Sequence, residues 1–374
     1  MKKNTLTILA AIFMATTLFA QTVTTFTEGT PDDAIALDSN GNIYCSNYVG
    51  DTVFKFTPTG EVSSFITGLN TPNGLAFNSN DELYVCDGQG NTIYKYDTGG
   101  NLLETIPASS HPSGIIKSLT SDTMIFTEYS GDKINYLEPD GTITEISSAP
   151  ELNGPVGLTY GDNGDLYVGN YTDRKIFRVL NDGSLEYIAQ LPASGSNPNL
   201  GFISFAQGAI FGTIMGEHKI YAVNPNEVDS YVLFAGSDAG DNDGDINQAT
   251  FHTPNGILFN NSGDTMYITD FGTKNLRIMS NVVLAVNDIT IENDSFKIYP
   301  NPTKDTLFVS AQLPREGDYL LRIFDVSGKE VFKNKGISND TKIATSVDVR
   351  SWRNGTYLVE ITFENSTITK KMIK

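Results

Sequence analysis

Two of the three histidines stand shortly before a Pro-Ser-Gly or Pro-Asn-Gly sequence, and imidazole is the side chain best suited to proton transfer near neutral pH. His111 precedes Pro112-Ser113-Gly114, and His252 precedes Thr253-Pro254-Asn255-Gly256. Either residue could contact a ligand or act as a general base; the structural alternative is an ordinary loop residue. His218 lies in a turn and carries no mark of a site.

The segment 237–252 is rich in acidic residues and glycine. Its acidic residues are Asp238, Asp241, Asp243 and Asp245. An EF-hand loop built on Gly244 would place Ala239 at position 1 and Thr250 at position 12, and neither supplies a carboxylate, so that class of site is excluded. The length of the insert makes it the loop expected to touch a ligand, with Asp243 as a candidate contact.

The chain contains no Gly-x-Ser-x-Gly, His-Glu-x-x-His, phosphate-loop or dinucleotide-binding motif. Hydrolysis by metal-bound water with a carboxylate as base needs none of these motifs, so a metal-dependent enzyme stays open.

One pattern of residues occurs six times at intervals of about 40 residues, which is the length of a β-propeller blade. A leading glycine recurs at Gly74, Gly114, Gly157, Gly201 and Gly256, and Asp33 holds the same place in the first copy. The second strands are predicted over residues 43–47, Leu83–Asp87, Met124–Glu128, Leu166–Asn170, Ala209–Ile214 and 266–270. The sequence therefore predicts six blades, with His111 and His252 on opposite sides of the ring and unable to share one small substrate easily.

The sixth copy lacks a fourth strand after residues 275–280, and a matching strand stands before the first copy at Thr22–Thr27. We expect this N-terminal strand to complete blade six and close the ring. The apolar segment 282–286 is the competing fourth strand.

Composition divides the chain into regions. Lys2, Lys3 and an apolar run in residues 1–20 predict a secretory signal peptide. Residues 21–285, the predicted propeller, hold 10 Lys and Arg against 32 Asp and Glu, a net charge of −22 that disfavours nucleic acid and anionic lipid. Residues 286–295 read as a linker, and 296–374 alternate as a small Ig-like β-sandwich. No later segment is apolar enough to predict a transmembrane helix.

Cys45 and Cys86 lie at similar points of neighbouring blades in this predicted exported chain. Packed sheets lie about 10 Å apart, whereas bridged Cα atoms need roughly 4.4–6.8 Å. We expect both cysteines to be free and buried.

The C-terminal segment resembles the type A sorting domain of the type IX secretion system. The resemblance rests on Tyr299-Pro300-Asn301-Pro302, on residues 323–329 and 355–359, and on the basic finish Lys370-Lys371-Met372-Ile373-Lys374. It implies export across the outer membrane, contact with the secretion and sorting machinery through residues 296–374, and release or attachment at the cell surface after removal of this domain.

Residues 22–285 resemble the NHL-repeat and regucalcin/gluconolactonase-like propellers. The best match includes Phe234-Ala235-Gly236, Asp243-Gly244, Pro254-Asn255-Gly256 and residues 267–270. This family includes lactonases, lyases and pure binding modules, so the resemblance implies the fold more strongly than an activity.

The gluconolactonase-like resemblance implies a divalent cation, Ca²⁺ or Mg²⁺, held by the residues that precede the innermost strands. The corresponding residues are Asp32, Asn73, Ser113, Val156, Leu200 and Asn255. Asp32, Asn73 and Asn255 are the candidate metal ligands, Asp32 or Asp33 is the candidate base, and Ser113 is a candidate ligand contact. Val156 and Leu200 depart from the family pattern, and one carboxylate is few for a cation that prefers six to eight oxygens.

A polar residue ends most of the predicted second strands. These residues are Asn47, Asp87, Glu128, Asn170 and Asp270. A recurring carboxylate or amide in a repeat is usually structural, and we expect hydrogen bonds to the backbone of the next blade. Ile125-Phe126-Thr127-Glu128 is also similar to repeats of virginiamycin B lyases, a family that works with histidine and Mg²⁺ at the channel.

The sequence thus predicts an all-β protein, a six-bladed propeller followed by a small β-sandwich, exported to the cell surface or medium. Its expected role is binding a small molecule or glycan at the channel mouth. The alternative is a Ca²⁺-dependent lactonase-like hydrolase, and a third possibility is a scaffold for a partner protein. Ligand identity and oligomeric state stay open.

Overall fold

The computed structural model describes residues 21–192, 194, 198–284, 295–313, 317–338, 341–363 and 366–374. These residues form two compact units, one ending at Val283 and the other spanning Leu284–Lys374. The predicted signal peptide and nearly all of the predicted linker lie outside the described residues and stay predictions. No described helix is both long and apolar enough to cross a membrane.

The first unit is built from six antiparallel sheets that follow one another along the sequence, so the predicted six-bladed propeller is confirmed. Blade 1 is Ile35–Leu37, Ile43–Ser46, Val53–Phe56 and Val62–Ile66; blade 2 is Pro72–Phe77, Leu83–Asp87, Thr92–Tyr96 and Leu102–Pro107; blade 3 is Pro112–Lys117, Met124–Glu128, Lys133–Leu137 and Ile143–Ser147. Blade 4 is Pro155–Tyr160, Leu166–Asn170, Lys175–Val179 and Leu185–Gln190; blade 5 is Leu200–Ala206, Ala209–Ile214, Lys219–Val223 and Tyr231–Gly236, with a 3₁₀ turn at Met215–Glu217.

Blade 6 is Pro254–Phe259, Thr265–Asp270 and Asn275–Ser280, completed by the N-terminal strand Thr22–Thr27 and the short strand Gly244–Asp245. Val23 pairs with Met279 and also with Gly244. This confirms the predicted closure of the ring. Residues 282–284 of the competing segment form no strand.

The recurring glycine has a steric cause. A Cβ on Gly74, Gly114 or Gly256 would lie about 2 Å from a backbone carbonyl oxygen of the neighbouring blade, at Ser113, Val156 and Asp33 respectively. At these three positions glycine allows the inner strands to approach this closely. The blade cores lie between successive sheets, as where Tyr44 of blade 1 packs with Leu83 of blade 2.

Strand register corrects the alignment of the first copy by one residue. Ile35 pairs with Cys45 as Leu75 pairs with Val85, so Ala34 occupies the place of Gly74. Asp33, and not Asp32, therefore corresponds to Asn73. The sequence misled here because an alanine replaces the marker glycine.

Cys45 and Cys86 are buried and unbridged, as expected.

The second unit contains two sheets that share one apolar core, which confirms the predicted sandwich. One sheet is Lys297–Tyr299, Thr306–Gln312 and Lys342–Asp348; the other is Glu330–Ser338, Gly317–Asp325, Thr356–Phe363 and Ser366–Ile373. Leu307 and Val309 of the first sheet are buried, as are Val359 and Ile361 of the second, and the residues between them along each strand are more exposed.

Candidate functional site at the channel mouth

A cavity of about 520 Å³ opens at the end of the propeller where each blade's innermost strand begins. We call it the channel-mouth cavity. Its lining comes from all six blades and combines two circles of residues, one polar and one mainly aromatic, with three histidines.

The inner circle consists of the residue that precedes the glycine position in each blade. By strand register its members are Asp33, Asn73, Ser113, Val156, Leu200 and Asn255. All of them except Leu200 line the cavity, and Leu200 is replaced there by its neighbour Asn199. Blades 6, 1, 2 and 3 thus supply the polar side of the circle, with Asp33 in the place predicted for Asp32, and Val156 lies on the other side.

Hydrogen bonds connect the polar half of the inner circle but leave one gap. Asn255 Nδ2 donates to Asp33 Oδ1 at 2.5 Å, and Asn73 Nδ2 donates to Ser113 Oγ at 2.8 Å. Asp33 Oδ2 and Asn73 Oδ1 are buried and have no hydrogen-bond partner among the described residues. Two acceptors from neighbouring blades therefore lack a donor.

Burial and then the adjacent negative charge of Asp32 raise the pKa of Asp33 well above its usual range. The hydrogen bond from Asn255 and the charge of Lys274 oppose this change in pKa without reversing it. Asp33 therefore favours its neutral, protonated form in the free protein.

Asp32 has a different environment. Its side chain is fully buried, its Oδ1 accepts a 2.6 Å hydrogen bond from the Tyr48 backbone, and its Oδ2 forms an ion pair with Lys274. Burial raises the pKa of Asp32 although Lys274 lowers it. Asp32 is not among the cavity-lining residues, so the structure brings together Asp33, Asn73 and Asn255 but not Asp32.

An aromatic circle surrounds the polar one, and the sequence analysis did not anticipate it. The residue directly after each second-strand polar position lines the cavity in five blades: Tyr48, Tyr129, Tyr171, Met215 and Phe271. The ring centroids of Tyr129 and Tyr171 lie 5.8 Å apart. The recurrence of large side chains at one repeat position was the sequence signal that could have predicted this circle.

Blade 2 has Gly88 at the aromatic position, and a histidine fills the space. A Cβ on Gly88 would lie 2.6 Å from His111 Nε2. The His111 ring lies 5.5 Å from the Tyr129 ring, centroid to centroid. Burial lowers the pKa of His111, although the charge of Asp87 acts in the opposite direction.

All three histidines line the cavity, including His218, which the sequence analysis set aside. His218 and His252 have ring centroids 5.6 Å apart. The Thr253 backbone N–H donates to His218 Nδ1 at 3.0 Å, so the neutral ring carries its proton on Nε2. Burial, followed by the charge of His252, lowers the pKa of His218. The cavity is wide enough for His111 and His252 to border the same space.

Asp243 lies outside the cavity lining. Its carboxylate accepts hydrogen bonds from the Thr25 backbone and hydroxyl and pairs with Arg277 at 2.8 Å. Asp243 thus fastens the insert and the N-terminal strand to blade 6.

The polar residues that end the second strands hold backbone within their own blade and not in the next one. Asp87 accepts from the Asn70 N–H, Glu128 accepts from the Ser109 N–H, and Asp270 accepts from the His252 N–H, each at 2.8–3.0 Å. Asn47 and Asn170 donate to carbonyl oxygens of the same incoming loops. We call these five residues the clip residues.

Carboxylates at the channel mouth are few for a calcium or magnesium site. Asp33 is the one carboxylate among the described residues that line the cavity, whereas Ca²⁺ prefers six to eight oxygen ligands. The part of the chain that the structure describes contains no group of three or more His, Cys, Asp or Glu placed to hold a metal ion.

The six sheets around this cavity define a β-propeller with a site at its channel mouth, and sequence comparison then gives the family. Residues 12–238 match the virginiamycin B lyase family, and the chain belongs to that family. Residues 297–374 match the secretion system C-terminal sorting domain, which marks the protein for type IX export to the cell surface or extracellular space. No curated protein sequence matches the chain.

Three solved structures illustrate the similarity of the propeller. A virginiamycin B lyase from Staphylococcus aureus is 20% identical with a TM-score of 0.51, over 66% of this chain and 80% of its own. A gluconolactonase from Xanthomonas campestris is 16% identical with a TM-score of 0.53, over 70% and 89%. An auxiliary nutrient binding protein from Bacteroides thetaiotaomicron is 15% identical with a TM-score of 0.59, over 70% and 76%. At these identities the likeness shows a shared fold.

Proposed function

We propose that this exported propeller binds a small extracellular ligand, or an end of a surface polymer, in the channel-mouth cavity. The observation that carries the proposal is the composition of the cavity wall. Its volume of about 520 Å³ lies within the range of small-molecule sites, and aromatic faces surround a few buried polar atoms without partners. The nutrient-binding protein among the similar structures supports a binding role.

A plug variant tests this proposal. Asn199 borders the cavity and is half-buried, so Asn199→Trp should fill the mouth without entering the core. Leu119→Trp is the matched control, since Leu119 is 60% exposed and lies outside the lining. Ligand-observed NMR of the full chain would use mono- and oligosaccharides together with small aromatic compounds. Ligands that bind the wild type and the control but not the plug variant support the proposal; equal binding by the plug variant contradicts it.

A second candidate function is acid–base chemistry at His218 and His252. Its support is the fixed tautomer of His218, whose Nε2–H is available as a donor, together with the nearby His252 ring and membership of the lyase family. A catalytically inactive histidine-to-alanine variant of the S. aureus lyase has been solved with quinupristin, which makes quinupristin the first compound to assay. A lyase opens its substrate without adding water, whereas a hydrolase adds one water molecule, and mass spectrometry separates the two products. Unchanged turnover in both His218→Ala and His252→Ala would exclude this chemistry.

The Ca²⁺-dependent lactonase is a weaker alternative, because Asp33 is the one carboxylate among the described residues that line the cavity. Its test is a thermal melt of the chelated full chain, titrated with Ca²⁺ and then Mg²⁺. A saturable rise in melting temperature that Asp33→Ala abolishes would favour the metal-dependent enzyme.

A further inference from the structure

The unpartnered atoms of the channel-mouth cavity share one property. When Asp33 is ionised, its Oδ2 and Asn73 Oδ1 are both hydrogen-bond acceptors; both atoms are buried, and neighbouring blades contribute them. Asp33 and Asn73 are 3% and 5% exposed, so bulk water reaches neither side chain freely. An unmade hydrogen bond at a buried polar atom is costly, and the missing group must be a donor.

The electrostatic character of the wall points in the same direction. None of the described residues that line the cavity is Lys or Arg. Tyr48, Tyr129 and Tyr171 line the blade 1, 3 and 4 sides of the cavity, and aromatic rings attract cations. Burial, followed by the charge of Asp33, raises the pKa of Tyr48, and Asp33, Tyr48 and Tyr171 all line this cavity.

We propose that the cavity recognises a primary ammonium group on an apolar body, with its N–H donors at Asp33 Oδ2 and Asn73 Oδ1 and its body against Tyr48, Tyr129 and Tyr171. This inference rests on the proposed binding function and names the chemical class of the ligand. An ammonium group supplies the N–H donors that the two oxygens lack. A calcium ion would need six to eight oxygen ligands, and the described cavity wall offers one carboxylate.

The proposal also accounts for the position of Asp33 beside Asp32. Burial and the Asp32 charge favour a protonated Asp33 in the free protein, and a cationic ligand reverses this preference by compensating the carboxylate charge. Binding therefore releases a proton from Asp33.

The test is calorimetric titration of the full chain at pH 8 with three probes of nearly equal shape: phenethylamine, phenethyl alcohol and phenylacetate. We expect phenethylamine to bind at least tenfold more tightly than the alcohol, and phenylacetate to bind most weakly. Titration in buffers of different ionisation enthalpy should report proton release. Equal or tighter binding of the alcohol or the carboxylate overturns the ammonium inference and leaves a ligand-binding cavity.

Variants separate specific recognition from attraction to an acidic protein. Asp33→Asn should abolish the preference for phenethylamine over phenethyl alcohol. Glu61→Gln removes the same charge from an exposed site outside the cavity and should change the affinity for phenethylamine less than twofold. Tyr129→Leu should lower the ratio of the two affinities several-fold. An unchanged ratio in Asp33→Asn overturns the inference, and thermal melts confirm that each variant is folded.

The trimethylated counterpart of phenethylamine tests the role of the N–H donors without any mutation. It keeps the positive charge and the body but cannot donate hydrogen bonds, so it should bind several-fold more weakly. Tighter binding would contradict donation to Asp33 and Asn73. If no probe binds, the ammonium inference fails, and the plug variant separately decides the proposed function.

Discussion

The clip residues and the inner circle are two sets of residues at repeated positions of one propeller, and they differ in whether a buried oxygen without a described partner borders the cavity. Asp87 accepts from the backbone N–H groups of Asn70 and Gly90. Asp33, buried to the same degree, has one oxygen bonded and one without a described partner. Both sets recur with the repeat, so recurrence alone does not separate structure from function. Two clip residues, Asn47 and Asn170, also have a buried oxygen without a described partner, but neither lines the cavity. An unmade hydrogen bond inside the cavity wall is what distinguishes the inner circle.

The largest effect should come from the cation that supports the clip of blade 6. Arg277 is fully buried, donates to the carbonyl oxygens of Thr250 and Asn242, and lies 3.8 Å from Asp270. Arg277→Met removes the positive charge that lies beside the buried Asp270 carboxyl group. It should lower the free energy of unfolding by about 3–5 kcal/mol. Chemical denaturation measures this change.

Lys133→Met is the control for Arg277→Met. Lys133 pairs with Glu145 on the surface of blade 3, and its loss should cost less than about 1 kcal/mol. Similar losses in the two variants would contradict the structural role assigned to Arg277.

A pair of buried aspartates gives the sharpest contrast between the two sets. Asp87→Asn turns one acceptor into a donor that faces backbone N–H groups, and it should lower the free energy of unfolding by about 1–3 kcal/mol. Asp33→Asn should leave stability unchanged or raise it, because the new amide can donate to Asn73 Oδ1. Ligand affinity should respond in the reverse order, with a loss in Asp33→Asn alone. Strong destabilisation by Asp33→Asn would show that Asp33 has a structural role like that of the clip residues.

The smallest predicted effect is the pH dependence of phenethylamine binding. Because Asp33 has a raised pKa, it is protonated over a wider range than a surface carboxyl group, and affinity should rise with pH by at most about tenfold per unit until Asp33 ionises. The groups facing Asp33 are Asp32, Lys274, Asn255, Tyr48 and Tyr171. His111 and His218, whose pKa values burial lowers, gain positive charge at low pH and act in the same direction. A calorimetric pH series should show a shallower slope for Asp33→Asn than for the wild type.

The repeat allowed most of the propeller to be predicted from the sequence. Leu83–Asp87, Met124–Glu128 and Leu166–Asn170 begin and end where the pattern placed them. This success has a steric basis, since the inner strands approach so closely that glycine must recur. The first copy was misaligned where Ala34 breaks that rule, and the error moved the candidate carboxylate from Asp33 to Asp32.

The site was less predictable because its features depend on contacts between distant residues. His218 reaches the cavity from the 3₁₀ turn Met215–Glu217, which the other blades lack. The gap between Asp33 and Asn73 depends on the direction of two amide hydrogen bonds, which no residue spacing encodes. The aromatic circle, by contrast, stood at a fixed repeat position and could have been predicted.

Ring closure by the N-terminal strand also sets an order of events in time. The Thr24 hydroxyl donates a hydrogen bond to the Ile278 carbonyl, 254 positions later in the chain. The first propeller strand to be synthesised therefore cannot pair until the last described strand of the propeller has been made. Contacts of this separation form slowly, and an open ring presents unpaired strand edges in the meantime. Because Thr22–Thr27 pairs with Asn275–Ser280, the propeller ring can close only after both strands have been synthesised. A truncated propeller would keep these strand edges unpaired and accessible to chaperones and proteases.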